Sequence, residues 1–140
     1  MMISKTDLKT INFSLPLRVA ISSRKDFILN LNVYRDVHYQ ALGRAKKNYS
    51  SIVIDAAPDI DYIISKCEVK ITLYPKTRRR ADLSNACSVV DKFAMDALQA
   101  KGYFLDDDYH TIPRVIYEFG EVDPKNPRFD IEINVLDSIG

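Results

Sequence analysis

The feature that most limits how this chain can fold is an alternating segment followed closely by a helical one. Residues 67–75, CEVKITLYP, alternate apolar with polar side chains until a proline ends the pattern. A period of two places successive side chains on opposite faces of a strand, so a strand with one buried face is predicted. Residues 84–102 then carry apolar side chains at helical spacing and end in Gly102, a residue type that commonly terminates helices. A strand, a loop and a long helix are therefore expected in succession.

Further elements are expected on both sides of this unit. Residues 10–23 alternate but contain a proline, which favours an edge strand or a strand that breaks. A first long helix is predicted to begin after Asn32 as its cap and to end before Pro58. Its apolar positions recur every four residues: Val33, Val37, Ala41 and Ala45. Residues 114–120 and 128–136 are predicted to form two more strands, the second with a regular alternation.

These elements predict a single α+β domain over residues 1–140. We expect a mixed or antiparallel sheet of about four or five strands packed with two long helices. With 46% hydrophobic residues, the chain can form a substantial core. No G-x-S-x-G, P-loop or dinucleotide-binding glycine pattern occurs, and the only two histidines, His38 and His110, share no metal-ligand spacing. Several common enzyme classes are thereby disfavoured.

Charge, cysteine content and hydropathy indicate the surroundings of the protein. The formal net charge is +1, from 20 Lys and Arg against 19 Asp and Glu, so a nucleic-acid surface would require local clustering. Cys67 and Cys87 lack CxxC spacing and are interpreted as reduced core thiols, which suits a cytoplasmic protein. No apolar run approaches the roughly 18 residues that a membrane helix needs, so no membrane association is expected.

A basic run and an acidic run flank the second predicted helix. TRRRADLSN, residues 77–85, leads into it, and the aspartates of residues 106–108 follow its end. The helix is too long for its ends to touch, so the acidic turn must fold back toward Asp82 or come from another chain. Converging carboxylates would form a hard-oxygen site suited to Mg²⁺. Such a site activates water and offsets charge on a phosphoryl group.

Nearby cations fit a phosphodiester substrate. The side chains expected to hold phosphates flanking the site are Lys76, Arg78, Arg79 and Arg80. Lys92, on the helix, is suited to stabilising charge that develops on the scissile phosphate. The competing interpretations are a solvated basic loop and an N-cap with an acidic turn, and Asp91 and Asp96 are interpreted as a solvated helix face. For Tyr34, Tyr39 and Tyr49, packing is favoured over stacking on bases.

Three segments of the chain resemble the RusA-type Holliday-junction resolvases. They are RRRADLSN, followed by KFAMDALQAKGYFLDD, and LNVYR at residues 31–35. The family pattern combines a basic run, D-x-D-N, a helix with a lysine followed by D-A-L, and an L-D-D turn. The resemblance spans most of the chain.

The resemblance implies a homodimeric nuclease that requires Mg²⁺, with Mn²⁺ as a substitute. Such enzymes bind four-way DNA junctions and make paired nicks that leave ligatable ends, and a phage or prophage origin suits the family. Carried over by position, Asp82 and Asp107 are the metal-binding catalytic aspartates, Asp106 matches an additional metal position, and Asn85 matches a DNA-contacting one. Lys92 corresponds to the catalytic helix lysine.

The chain departs from this pattern at two points. Ser84 stands where the family has the second aspartate of D-x-D-N, and the lysine lies four residues further along the helix, with Ser88 at the shorter spacing. An active nuclease would need Asp106, Asp108 or a water molecule to supply the missing oxygen. The alternatives are a catalytically weak or inactive protein that binds DNA junctions and a protein-interaction module with no affinity for DNA.

Overall fold

Six strands and three helices occupy the part of the chain that the computed structural model describes, residues 10–80 and 82–140. In chain order they are β1 (Thr10–Leu15), β2 (Arg18–Ser22), β3 (Lys25–Ile28), α1 (Leu31–Asp36), α2 (Tyr39–Ala56), β4 (Ile63–Tyr74), α3 (Leu83–Lys101), β5 (Arg114–Phe119) and β6 (Arg128–Ile139). The predicted α+β class, with two long helices and a single domain, is confirmed.

The alternating segment at residues 67–75 belongs to β4, which lies inside a four-stranded sheet of order β1-β6-β4-β5. β4 pairs antiparallel with β6 and parallel with β5. β1 pairs antiparallel with β6 and forms one edge of the sheet. Two parallel neighbours need a crossover connection, and α3 provides it. The predicted alternation of β6 is confirmed, since its buried side chains are Phe129, Ile131, Ile133 and Val135.

One face of this sheet is covered by helices. Phe93 of α3 lies at the centre of an aromatic cluster and contacts the rings of Phe27, Tyr34 and Tyr49. Tyr49 is fully buried and its hydroxyl donates to the Pro16 carbonyl at 2.8 Å, so its packing role is confirmed. Within residues 10–80 and 82–140, no helix combines the length and apolar character needed to cross a bilayer.

The opposite face of the sheet is polar and carries paired charges. The Lys70 ammonium lies 3.6 Å from a carboxylate oxygen of Glu118 on one side and of Glu132 on the other. Arg114 pairs with Glu68 across the same face at 3.6 Å. Half-exposed pairs of this kind add little stability. The acidic side chains on this face are at least as numerous as the basic ones, so the face does not attract a polyanion such as DNA.

The single first helix predicted from residue 33 onward is wrong, because the chain forms two helices there. Asn30, rather than Asn32, caps α1 by accepting a hydrogen bond from the Val33 amide at 2.8 Å. Val37 and His38 adopt extended backbone, and the His38 Nδ1 caps α2 by accepting from the Gln40 amide. Two caps eight residues apart therefore divide the segment. The apolar stripe of α2 comprises Ala41, Ala45, Tyr49 and Val53.

The strand predicted over residues 10–23 breaks as its proline suggests. β1 ends at Leu15, and β2 begins at Arg18 and pairs with β3 in a separate hairpin. β3 had no counterpart among the predicted elements. Its four residues are too short to display a regular alternation.

A tightly packed corner lies where β4 ends and the basic run begins. The Arg128 guanidinium stacks 4.0 Å from the centre of the Tyr74 ring and bonds to Asp123 and Asp130 at 2.9 Å each. Gly120 also lies against the Tyr74 ring. A Cβ added at this glycine would lie 2.5–2.9 Å from three carbons of the ring. The Tyr74 ring therefore has little freedom to move away from a larger residue at position 120.

We expect Gly120→Ala to destabilise the fold by about 1–3 kcal/mol, because a methyl group would overlap the restrained Tyr74 ring. Gly43→Ala is the matched control: Gly43 lies within α2, and a Cβ there meets nothing within 4 Å. The same substitution at that position should stabilise by about 0.5–1 kcal/mol through helix propensity. Thermal and urea unfolding of both variants measure the two effects, and a neutral Gly120→Ala would contradict the restrained ring.

Candidate metal and nucleic-acid site

The predicted catalytic residue Asp82 begins α3 as its N-cap. Its Oδ1 accepts from the Ser84 amide at 3.0 Å and from the Ser84 hydroxyl at 2.9 Å. A carboxylate is favoured here because it satisfies an unpaired helix amide and faces the positive end of the helix dipole. Asp82 is exposed. Ser84 thus donates both of these hydrogen bonds to Asp82.

The predicted phosphate contacts lie in the loop between β4 and α3. Lys76, Arg78, Arg79 and Arg80 are all exposed. None of them forms an ion pair with a carboxylate in residues 10–80 and 82–140. Four uncompensated cations next to the N-terminus of α3 create a local positive surface on a chain of almost zero net charge. Such a surface attracts a polyanion.

Asn85, a predicted DNA contact, also has a structural task. Its side-chain oxygen accepts from the backbone amide of Leu31 at 3.1 Å, which connects the first turn of α3 to the first residue of α1. The side chain is partly buried. The hydrogen bond satisfies one of the amides that the start of a helix leaves unpaired. A direct contact from Asn85 to DNA stays a prediction.

The acidic turn folds back along the middle of α3: Asp107 lines one space with Ser88 and Asp91, and Asp82 does not line it. Gly102 ends the helix in the left-handed conformation, with φ of 97°, and Tyr103 and Phe104 are buried directly after it. The Asp106 carboxylate accepts from the Asp107 amide at 2.8 Å, and that of Asp108 accepts from the His110 amide at 3.0 Å. These two carboxylates shape the turn. Asp107, between them, is half-buried.

Lys92 and Asp107 both line a cleft of about 340 Å³ between α3 and the start of β5. Its other lining residues are Ser88, Asp91, Met95, Asp96, Ile112 and Val115. The structure thus brings together two of the three predicted catalytic residues. The helix supplies the lysine and the returning turn supplies the carboxylate.

Asp91 belongs to this cleft, and its interpretation as part of a solvated helix face is wrong. It is half-buried, and its Oδ2 accepts from the Tyr117 hydroxyl of β5 at 2.8 Å. Burial raises the pKa of the Asp91 carboxyl above its usual value, the charges of Asp107 and Asp96 raise it further, and the Tyr117 hydrogen bond opposes them. Asp96 is exposed, as predicted. Nothing local in the sequence indicates the Tyr117 contact, because β5 reaches α3 only through the tertiary fold.

Asp82 lies at some distance from this cleft. The helix rises about 1.5 Å per residue, so Asp82 lies about 9 Å along the axis from Ser88 and about 13.5 Å from Asp91. Within residues 10–80 and 82–140, no three carboxylates, thiols or imidazoles are grouped closely enough to hold a metal ion. A metal site shared by Asp82, Asp106 and Asp107 stays a prediction.

The chemistry of the cleft nevertheless fits a hard divalent cation. Mg²⁺ commonly uses one or two protein carboxylates and fills its remaining positions with water and phosphate oxygens. The Ser88 Oγ, which lines the cleft, exposes less than 1 Å² and has no hydrogen-bond partner in the described part of the chain. Buried hydroxyls normally have a partner, and this oxygen has none among the described residues. Burial raises the pKa of the Cys67 and Cys87 thiols to about 12, which makes them inert core residues.

Comparisons with known proteins leave the family open. The sequence matches no protein-family model and no curated protein sequence. The resemblance to RusA-type resolvases therefore rests on the three short segments quoted above.

Asp91→Asn is expected to stabilise the metal-free protein at neutral pH. Burial first of all raises the folded-state pKa of Asp91 from its ordinary 3.8, so the native chain binds this proton more tightly than the unfolded chain. Stability is therefore lost as the pH rises from that ordinary value through the raised pKa, while asparagine carries no charge at any pH.

Melting temperatures of wild type and Asp91→Asn in EDTA, from about pH 4 to about pH 8, test this expectation. The advantage of the variant should be largest at the alkaline end and should shrink toward the acidic end. Asp55→Asn is the control, because that carboxylate is exposed on α2 and does not line the cleft. A difference that is independent of pH would contradict the raised pKa.

Proposed function

We propose that this protein is a divalent-metal-dependent endonuclease that cuts four-way DNA junctions. The observation that supports it best is the cleft that Lys92 and Asp107 both line, because both residues were expected to act on a phosphodiester. The basic loop at the start of α3 supports it independently. The combination of a carboxylate site with uncompensated cations suits a polyanionic substrate.

Each group has a distinct task in phosphodiester hydrolysis. A bound Mg²⁺ supplies Lewis-acid chemistry that polarises the phosphate and activates water. Asp107 would hold the ion, and Asp82 at the start of α3 stays a predicted second ligand. The Lys92 ammonium offsets negative charge that develops on the phosphate as the P–O bond breaks.

The DNA would approach from the side of the basic loop. Lys76, Arg78, Arg79 and Arg80 would bind phosphates that flank the cut, where they release counterions. The paired, acid-rich face of the sheet would point away from the duplex. Paired cuts in a two-fold junction need two copies of the site, so we propose a homodimer. The proposed place of action is the cytoplasm.

A second candidate function is junction binding without cleavage. It is favoured by the Ser84 hydroxyl, which donates to Asp82 where the family pattern has a further carboxylate. Loss of one ligand weakens metal binding, while the basic loop that holds DNA remains. The two functions differ in turnover and share the same affinity for branched DNA.

We expect the wild-type protein to nick a labelled four-way junction in Mg²⁺ and to leave it intact in EDTA. Asp107→Asn should reduce the cleavage rate by about a hundredfold or more, because the variant loses a charged ligand of the metal. Junction binding in EDTA should persist, since the carboxylate does not contact phosphate. Gel separation of the products and mobility shifts measure the two properties.

Linear duplex of the same sequence is the control substrate, and Ser84→Asp is the control variant. Binding without nicks, with nicks gained in Ser84→Asp, would favour the second candidate function. No binding to the junction at low salt would exclude both nucleic-acid functions and favour a protein-interaction module.

The basic loop should determine how junction affinity depends on salt. Combined replacement of Arg78, Arg79 and Arg80 by Ala should make the slope of log K against log salt shallower by about one for each phosphate that the loop no longer binds. Arg114→Ala is the charge control, because Arg114 lies on the opposite face of the sheet and pairs with Glu68. Fluorescence anisotropy over a salt series gives both slopes. Equal slopes for all three proteins would contradict DNA contact through the loop.

A further inference from the structure

A carboxylate that the family pattern does not include lies in the middle of the cleft. We infer that Asp91 and Asp107 form a divalent-cation pocket, in which Asp91 provides the carboxylate that the resolvase pattern has at the position of Ser84. Tyr117 positions the Asp91 side chain. The inference rests on the proposed function, because it concerns the same cleft. It assigns Asp91 and Tyr117 roles that neither the motif pattern nor the resemblance provides.

The first support is the way in which the Asp91 side chain is held. Tyr117 of β5 donates to Oδ2 at 2.8 Å, which fixes the carboxylate between strand and helix. The other oxygen, Oδ1, has no hydrogen-bond partner within residues 10–80 and 82–140 and remains available to a ligand. A hydrogen bond from a neighbouring side chain to one oxygen of a ligating carboxylate is a common way to orient it.

The second support is the electrostatic situation in the cleft. Asp91 feels the negative charges of Asp107 and Asp96, and all three line the same space. Like charges in a partly buried site repel each other and lack the full solvation of bulk water. Lys92, at the same cleft, compensates only part of this charge. A divalent cation between Asp91 and Asp107 would remove the repulsion.

The third support is independent of the carboxylates. The Ser88 Oγ is buried at the same cleft without a partner in the described residues. Ser88 precedes Asp91 by three positions on α3, a spacing that places two side chains next to each other on a helix surface. A cation bound by Asp91, or a water molecule on that cation, would give the hydroxyl the partner that buried polar atoms normally have.

Other acids on α3 are less suited to the same role. Asp96 is exposed. Asp82 lies about two and a half turns before Asp91, and its Oδ1 already accepts two hydrogen bonds from Ser84. Asp91 alone combines partial burial, a positioning hydrogen bond and proximity to Asp107.

Binding of Mn²⁺ to the protein without DNA tests the inference, with free Mn²⁺ measured by electron paramagnetic resonance. Asp91→Asn should weaken Mn²⁺ binding by about tenfold or more, and Asp107→Asn by a similar factor. The double variant should bind Mn²⁺ more weakly than either single variant, because neither carboxylate of the pair is left to hold the ion. Asp55→Asn is the control, because that carboxylate is exposed on α2 and does not line the cleft, and this variant should bind Mn²⁺ like the wild type.

Tyr117→Phe separates positioning from folding. Removing only the hydroxyl should weaken Mn²⁺ binding severalfold while the Asp91 carboxylate remains, and a purely structural hydroxyl would leave that affinity unchanged. Circular dichroism and junction binding in EDTA verify that each variant is folded. Wild-type affinity for Mn²⁺ in Asp91→Asn, or no Mn²⁺ binding by the wild type, would overturn the inference.

Failure of the inference and failure of the proposed function give different results. Junction nicking that survives Asp91→Asn but not Asp107→Asn would remove Asp91 from the site and leave the nuclease function standing. A wild-type protein that neither binds nor nicks the junction would refute the nuclease function. The Mn²⁺ titration would still decide whether Asp91 and Asp107 share an ion.

Discussion

The parallel pairing of β4 with β5 is the constraint on which the cleft depends. Parallel neighbours need a crossover, so α3 must pass over the sheet between them. Both ends of that helix are fixed: Asn85 bonds to the Leu31 amide at the start, and the Lys101 ammonium bonds to the Ile54 and Ala57 carbonyls at 2.6 Å each at the end. The middle of α3 is thereby held beside β5. The return segment lies between helix and strand, and the cleft forms there.

The cleft places electrostatic strain in an otherwise well-packed domain. Aromatic rings around Phe93 fill the interior side of α3, while the side toward β5 holds carboxylates whose charges repel one another. A helix face selected for stability alone would carry apolar or well-solvated residues at these positions. Groups that reduce stability and converge in one cleft are typical of a functional site.

Local patterns predicted most of the fold, and contacts distant in sequence account for the errors. The sequence predicted the alternation of β4 and β6 and the end of α3 at Gly102, because each of these features depends on residues that are close in sequence. The break at Val37 and His38 was missed because the apolar repeat continues through it, while the decisive caps are single side chains at Asn30 and His38. Asp91 was predicted to be solvent-exposed because its hydrogen-bond partner, Tyr117, lies on β5, which contacts α3 only in the folded chain.

Both departures from the resolvase pattern are shifts in the same direction along α3, by seven residues for the carboxylate and by four for the lysine. Asp91 follows Ser84 by seven residues, close to two helical turns, so its carboxylate lies on the same side of the helix about 10 Å further along. Lys92 is displaced in the same direction, by four residues, close to one turn. Asp107 docks at this level, beside Asp91 and Lys92. A longer helix that moves its lysine and a carboxylate toward the returning turn can retain the charges that phosphodiester chemistry requires, although its first turn carries serine.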